Sequence, residues 1–74
     1  MKAYVLITAE IGKSSDIQAH LLDAGIGEVA QVTGVYDLVA VLDAADIRSA
    51  GDIVINVIQK TAGVLNTVTL MQIG

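Results

Sequence analysis

Asp46-Ile47-Arg48-Ser49-Ala50-Gly51-Asp52-Ile53-Val54-Ile55-Asn56-Val57-Ile58-Gln59-Lys60-Thr61 is the stretch on which the fold turns. Its β-branched residues favour a strand by propensity alone. Spacing and length favour a helix. Ile47, Ala50, Val54, Val57, Ile58 and Thr61 fall on one helical stripe, and the stretch is longer than an ordinary strand. Asp46 is the expected cap, since a short acidic side chain accepts the first free N–H groups of a helix. Gly51 weakens such a helix by about 1 kcal/mol relative to alanine.

With a helix there, the flanks fall into place. Leu38–Leu42 before it and Val64–Ile73 after it read as strands. Upstream, residues 3–9 form a continuous β-branched and aliphatic run, a first strand. Ile17, Leu21 and Ala24 recur at helical spacing behind Ser15 and Gln18, a possible capping box with Ser14 as the rival cap. Gly25 and Gly27 end that helix, and Glu28–Thr33 reads as the second strand. Gly34-Val35-Tyr36-Asp37 then joins the second strand to the third.

The order is β-α-β-β-α-β, two split βαβ units in a single domain spanning residues 1–74. The expected fold is α+β and ferredoxin-like: a four-stranded antiparallel sheet with two helices on one face. In that topology the first and third strands are central, and both are apolar on both faces. Two sets of side chains are expected to divide between the faces. Val5, Ile7, Val39 and Val41 form one set, and Tyr4, Leu6, Leu38 and Leu42 the other.

Composition sharpens that point. Of 74 residues, 54% are hydrophobic and 16% charged, with mean hydropathy +0.69. A domain this small buries only about 60% of the surface its unfolded chain exposes. The apolar surplus therefore calls for a partner or a membrane. No uninterrupted apolar run exceeds five residues, against the ~20 of a spanning helix, and the N-terminus lacks the pattern of a signal peptide. The expectation is a cytoplasmic homo-oligomer whose subunits pack sheet to sheet. The net charge of −4, with Lys2, Lys13, Arg48 and Lys60 scattered, argues against direct binding of nucleic acid. There is no cysteine and one histidine, His20, so neither a disulfide nor a metal site is expected, and no cofactor motif is present.

Chemistry is concentrated in few places. Glu10, Asp43 and Asp46 lie where strands run out towards helices, either as helix-dipole partners or as a ring of carboxylates facing an ammonium group. Gly34-Val35-Tyr36-Asp37-Leu38 supports two readings. In one, Gly34 sets the turn, Asp37 accepts backbone N–H bonds and Tyr36 covers the core edge. In the other, the turn's N–H groups hold a carboxylate and Asp37 pairs with an ammonium group, the two halves of an amino acid. An enzyme would need Tyr4, His20, Tyr36 and Asp37 gathered in one enclosed pocket; the inventory is poor and no enzymatic activity is expected.

Val32-Thr33-Gly34-Val35-Tyr36-Asp37-Leu38-Val39, set between two split βαβ units, resembles the effector-binding domain of the leucine-responsive/asparagine (Lrp/AsnC) feast/famine regulators, the regulation of amino-acid metabolism (RAM) domain. Ile58-Gln59-Lys60-Thr61-Ala62-Gly63-Val64-Leu65-Asn66-Thr67-Val68-Thr69 is similar to that family's helix end, glycine-valine and polar strand. The resemblance implies sheet-to-sheet dimers assembled into larger rings, often octamers, with a small effector, commonly an amino acid, held between dimers. It implies Gly34, Tyr36 and Asp37 as ligand-loop residues, and Asp46 as a further contributor. The expectation is that it corresponds to the stand-alone form of the domain, without the helix-turn-helix domain that full-length regulators carry ahead of the first strand. The expected role is that of a stand-alone domain acting on transcription indirectly, through its effector or full-length relatives. The alternative is an assembly module for those regulators that binds no ligand.

Overall fold

Strand alternation and two helical stripes meet in one core. In a computed structural model describing residues 1–74, the chain runs β1 (Lys2–Ala9), α1 (Ser14–Asp23), β2 (Glu28–Gln31), β3 (Leu38–Asp43), α2 (Ile47–Ile53) and β4 (Val64–Met71). A π-helical turn, Val54–Ile58, prolongs α2. The sheet is antiparallel in the order β2-β3-β1-β4, the ferredoxin-like arrangement with β1 and β3 central. The ambiguous stretch is helical, as its spacing predicts. Ala50, Val54, Ile58 and Thr61 are buried along it and Val57 is half-buried. Ile47 does not join them: in the helix's first turn it stands 64% exposed.

The helix is not uniform. Gln59 N–H donates to the Val54 carbonyl at 2.8 Å, five residues back. Ile53, Val54, Ile55, Val57 and Ile58 crowd successive turns with branched Cβ atoms that helices accommodate poorly. The widened turn coincides with that crowding. Thr61 then closes the segment, its hydroxyl donating to the Val57 carbonyl at 2.8 Å.

Helix α1 ends in a Schellman motif. Gly25, at φ +98°, donates its N–H to the Leu22 carbonyl, and Ile26 donates to Leu21. Leu21 and Ile26 are both buried, giving the apolar contact that usually accompanies this motif. The helix start differs from the capping-box expectation. Lys13 occupies the cap position and no side chain caps the helix. Gln18 works elsewhere: its amide donates to the Val29 carbonyl at 2.8 Å, and its oxygen accepts from Gln31 at 2.8 Å. A cross-link from α1 to the edge strand β2 has replaced the local cap.

The core lies between helices and sheet. Ala3, Val5 and Ile7 of β1, Val29 of β2, and Leu38, Ala40 and Leu42 of β3 meet Ile17, Leu21, Ala50, Val54 and Ile58 from the helices. Each fully buried Val, Leu or Ile contributes roughly 1.5–3 kcal/mol of transfer free energy. The register corrects the expected division of faces. Tyr4 pairs with Val41, Leu6 with Val39, and Val5 with Ala40. Val5 and Ile7 therefore share the helix side with Leu38 and Leu42. Tyr4, Leu6, Val39 and Val41 share the other side with Val68 and Leu70 of β4 and Ala30 of β2. The reason is the antiparallel pairing itself, which aligns Leu6 rather than Val5 with Val39. No helix covers that second, largely apolar face. No helix of the protein is long and apolar enough to cross a membrane.

Candidate functional site

The β2–β3 connection is built from one glycine and one carboxylate. Residues β2 needs for its ladder run out at Gln31, two short of the expected end, and the chain leaves the sheet until Leu38. Gly34 turns at φ +118°, a conformation that side-chain-bearing residues rarely adopt. Asp37 closes the loop three times over. Its carbonyl accepts the Val32 N–H at 2.9 Å, and its own N–H donates to the Ile7 carbonyl at 2.9 Å. Its Oδ2 accepts the Ala9 N–H at 2.7 Å. The accepting role read from the sequence for Asp37 is therefore present, with the donor, the Ala9 N–H, 28 residues away in the chain.

Between these anchors, the N–H groups of Thr33, Gly34, Val35 and Tyr36 donate to no group of the chain. Four successive backbone donors without a protein partner are the feature that an anion-accepting turn requires. Tyr36 and Asp37 are half-buried, whereas Val35 at the tip is 84% exposed. Gly34, Tyr36 and Asp37 thus belong to one loop at the Ile7–Ala9 end of β1.

Asp46 lies elsewhere. It follows the far end of β3, which runs six residues from Leu38 to Asp43, on the order of 20 Å at about 3.3 Å per residue. Within one chain it is not brought to the loop. Its Oδ1 accepts the Ser49 N–H at 2.7 Å, the cap expected from the sequence. That backbone bond, with a second contribution from the Ser49 side chain, holds the Asp46 carboxyl below the usual aspartate value of 3.8. A carboxyl depressed by folding stabilises the fold above its unfolded pKa, and the contribution is lost as pH falls through the folded value. Asp46→Ala is accordingly expected to lower Tm at neutral pH, with the gap from wild type shrinking as melts are taken below about pH 4. Asp46→Asn, which can still cap, should recover much of the neutral-pH loss; melts from pH 2.5 to 7 check both.

The other acidic residues do not converge either. Glu10 follows β1 and so lies at the loop end of the sheet, while Asp43 and Asp46 lie at the opposite end because β1 and β3 are antiparallel. A carboxylate ring within one chain is thereby excluded. Asp43 instead meets the N-terminal ammonium at 3.4 Å on the surface. No three His, Asp or Glu side chains are placed to hold a metal ion.

Two open clefts mark the surface, and neither contains the loop. One, of about 370 Å³, is lined by Asp16 and His20 of α1 with Lys60, Thr61 and Ala62. The other, of about 220 Å³, runs along Gln59 and Val64–Thr67. His20 therefore shares a cleft with Asp16 and Lys60, not with Tyr36 and Asp37, and the cluster an enzyme would need is not assembled. The spacing of Asp16 and His20, one helical turn apart, was the available signal for the first cleft; the approach of Lys60 depends on how the helices pack.

The geometry of the whole domain recurs in solved structures. TTHA0845 from Thermus thermophilus is 31% identical, with a TM-score of 0.91 over 99% of this chain and 92% of its own. AsnC from E. coli matches 93% of this chain with a TM-score of 0.85 at 21% identity. The chain belongs to the family of TTHA0845, and its fold is that of the Lrp/AsnC RAM domain. The transcriptional regulator NMB0573 from Neisseria meningitidis, solved as a complex with L-Met, superposes over 99% of this chain with a TM-score of 0.76 at 14% identity. This chain spans about half the length of the latter two, 48% of AsnC and 49% of NMB0573. No protein-family model and no curated protein sequence matches the chain.

Proposed function

We propose that this RAM-fold chain is an effector-binding and assembly domain that acts in the cytoplasm. Its subunits pack sheet to sheet into dimers, and dimers into larger rings. It binds a small molecule, an amino acid, and influences transcription indirectly, alone or in co-assembly with full-length Lrp/AsnC regulators, without touching DNA or catalysing a reaction. The observation that carries the ligand reading is the run of unpaired N–H groups from Thr33 to Tyr36 on a turn fixed by Gly34 and Asp37. Those donors suit a carboxylate. The L-Met bound by NMB0573, which shares the fold, favours an amino acid as its bearer. Gly34, Tyr36 and Asp37 form the ligand loop; Asp46, at the far end of β3, contributes only where a second copy brings it there.

Calorimetric titration with each of the twenty common amino acids tests this reading, paired with light-scattering mass. One or more should give saturable heat, and Gly34→Val, which is strained at φ +118°, should weaken that response at least about tenfold. Silence from all twenty in an intact oligomer removes the amino-acid claim. A second reading, a ligand-free assembly module, is favoured by the absence of a cleft around residues 33–37 within one chain. It expects the same oligomer with no heat, and capture of a full-length regulator.

A further inference from the structure

The Asp37 carboxylate is half-buried and engaged with a residue 28 positions away. The β1–β3 register ends at Ile7↔Leu38, so past Ile7 no ladder carbonyl of β3 is available to β1. Ala9 still carries an N–H that needs an acceptor, and Asp37 Oδ2 supplies it at 2.7 Å. The site of this contact is also irregular on its other side: the β1–β4 register shifts between Thr8 and Ala9. The next residue, Glu10, donates its N–H to the Gly63 carbonyl at 2.8 Å. Gly63, at φ +95°, is packed so closely that a Cβ there would lie 3.0 Å from Lys13 Cβ and 3.3 Å from Ile17 Cδ1. Two consecutive amides of one short segment are thus tied to the 32–37 loop on one side and to the turn before β4 on the other.

We propose that Asp37 is a positioning residue of the effector loop and not the counter-ion of the effector's ammonium group. Its acceptor oxygen holds the Gly34–Tyr36 turn on the end of β1 and, through the neighbouring Glu10–Gly63 bond, couples the loop to the junction between the second helix and β4. The fixed backbone donors recognise the ligand, and the negative charge of Asp37 is dispensable provided that an oxygen accepts the Ala9 N–H. This inference rests on the amino-acid reading for its ligand readout only.

The isosteric Asp37→Asn and the truncating Asp37→Ala separate the two roles, because asparagine keeps an oxygen acceptor and discards the charge. In chain without ligand, NMR hydrogen exchange at Ala9 and Glu10 should accelerate at least about tenfold in Asp37→Ala and stay within about threefold of wild type in Asp37→Asn. Titration with L-methionine and with a mixture of the twenty amino acids should show the same order: affinity falls at least about tenfold with alanine and is rescued by asparagine. If asparagine protects Ala9 yet loses binding as fully as alanine, Asp37 is the counter-ion and the proposal fails. It fails equally if alanine leaves Ala9 exchange unchanged. If wild type binds no amino acid, that loss falls on the amino-acid reading, and the exchange rates alone decide whether Asp37 positions the loop.

Discussion

A Val39→Asp chain is expected to keep its fold and to run as a monomer. Val39 sits on β3 opposite Leu6 and Ala30, on the face that no helix covers. It is half-buried by its strand neighbours alone, so a carboxylate there can still reach water in the isolated chain. In a sheet-to-sheet dimer the same carboxylate would be enclosed among Tyr4, Leu6, Val41 and Val68 without a cation, and an unpaired buried charge costs several kcal/mol. That penalty is comparable to the net free energy of many subunit contacts. Size-exclusion chromatography with light scattering should show the single-chain mass, and far-UV circular dichroism an unchanged spectrum. An unchanged oligomer mass would falsify the sheet-to-sheet arrangement.

Ala40→Asp, one residue away, is expected to prevent folding altogether. Ala40 has no exposed surface and lies between Val5 and Val29 on the helix side of the sheet. An aspartate there is too large for the space and buries an uncompensated charge, at a cost of at least about 3 kcal/mol. A domain of this size is stabilised by roughly 4–11 kcal/mol in all. The oligomer also contributes to that stability through mass action. The expected result is a chain without a cooperative thermal transition, recovered only on reversion. A folded Ala40→Asp chain would mean that the helix layer is not closed over the centre of the sheet. Comparing the two neighbours separates surface required for assembly from surface required for folding.

Much of this architecture was legible in the residues. The stretch from Asp46 to Thr61 could be read as a helix because its buried positions recur at 3.6 residues, and periodicity reports burial more directly than propensity does. Asp46 was legible as a cap because capping is local, with donor and acceptor three residues apart. The π-helical turn was not legible. The same β-branched run is compatible with a regular helix, and the choice is made by how the widened turn packs.

Contacts that cross the sequence behaved differently. Ser15 and Gln18 have capping-box spacing, yet Gln18 bonds to Val29 and Gln31. The local acceptor pattern competed with a tertiary one, and the tertiary one prevailed. The candidate loop shows the same division. Gly34-Val35-Tyr36-Asp37 announces a turn with free donors, but nothing in it says that Asp37 reaches Ala9 or that Asp46 lies beyond the far end of a strand.

The residues alone determined the element order, the central strands and the presence of an apolar face in excess of what two helices can cover, because these depend on periodicity and composition within short windows. Only the tertiary structure decided which side chains make up that face. Alternation divides each strand into two sets, but it takes the pairing of Leu6 with Val39 to place one strand's set beside another's. Register is a relation between segments more than thirty residues apart, and it is set by the packing that closes the core.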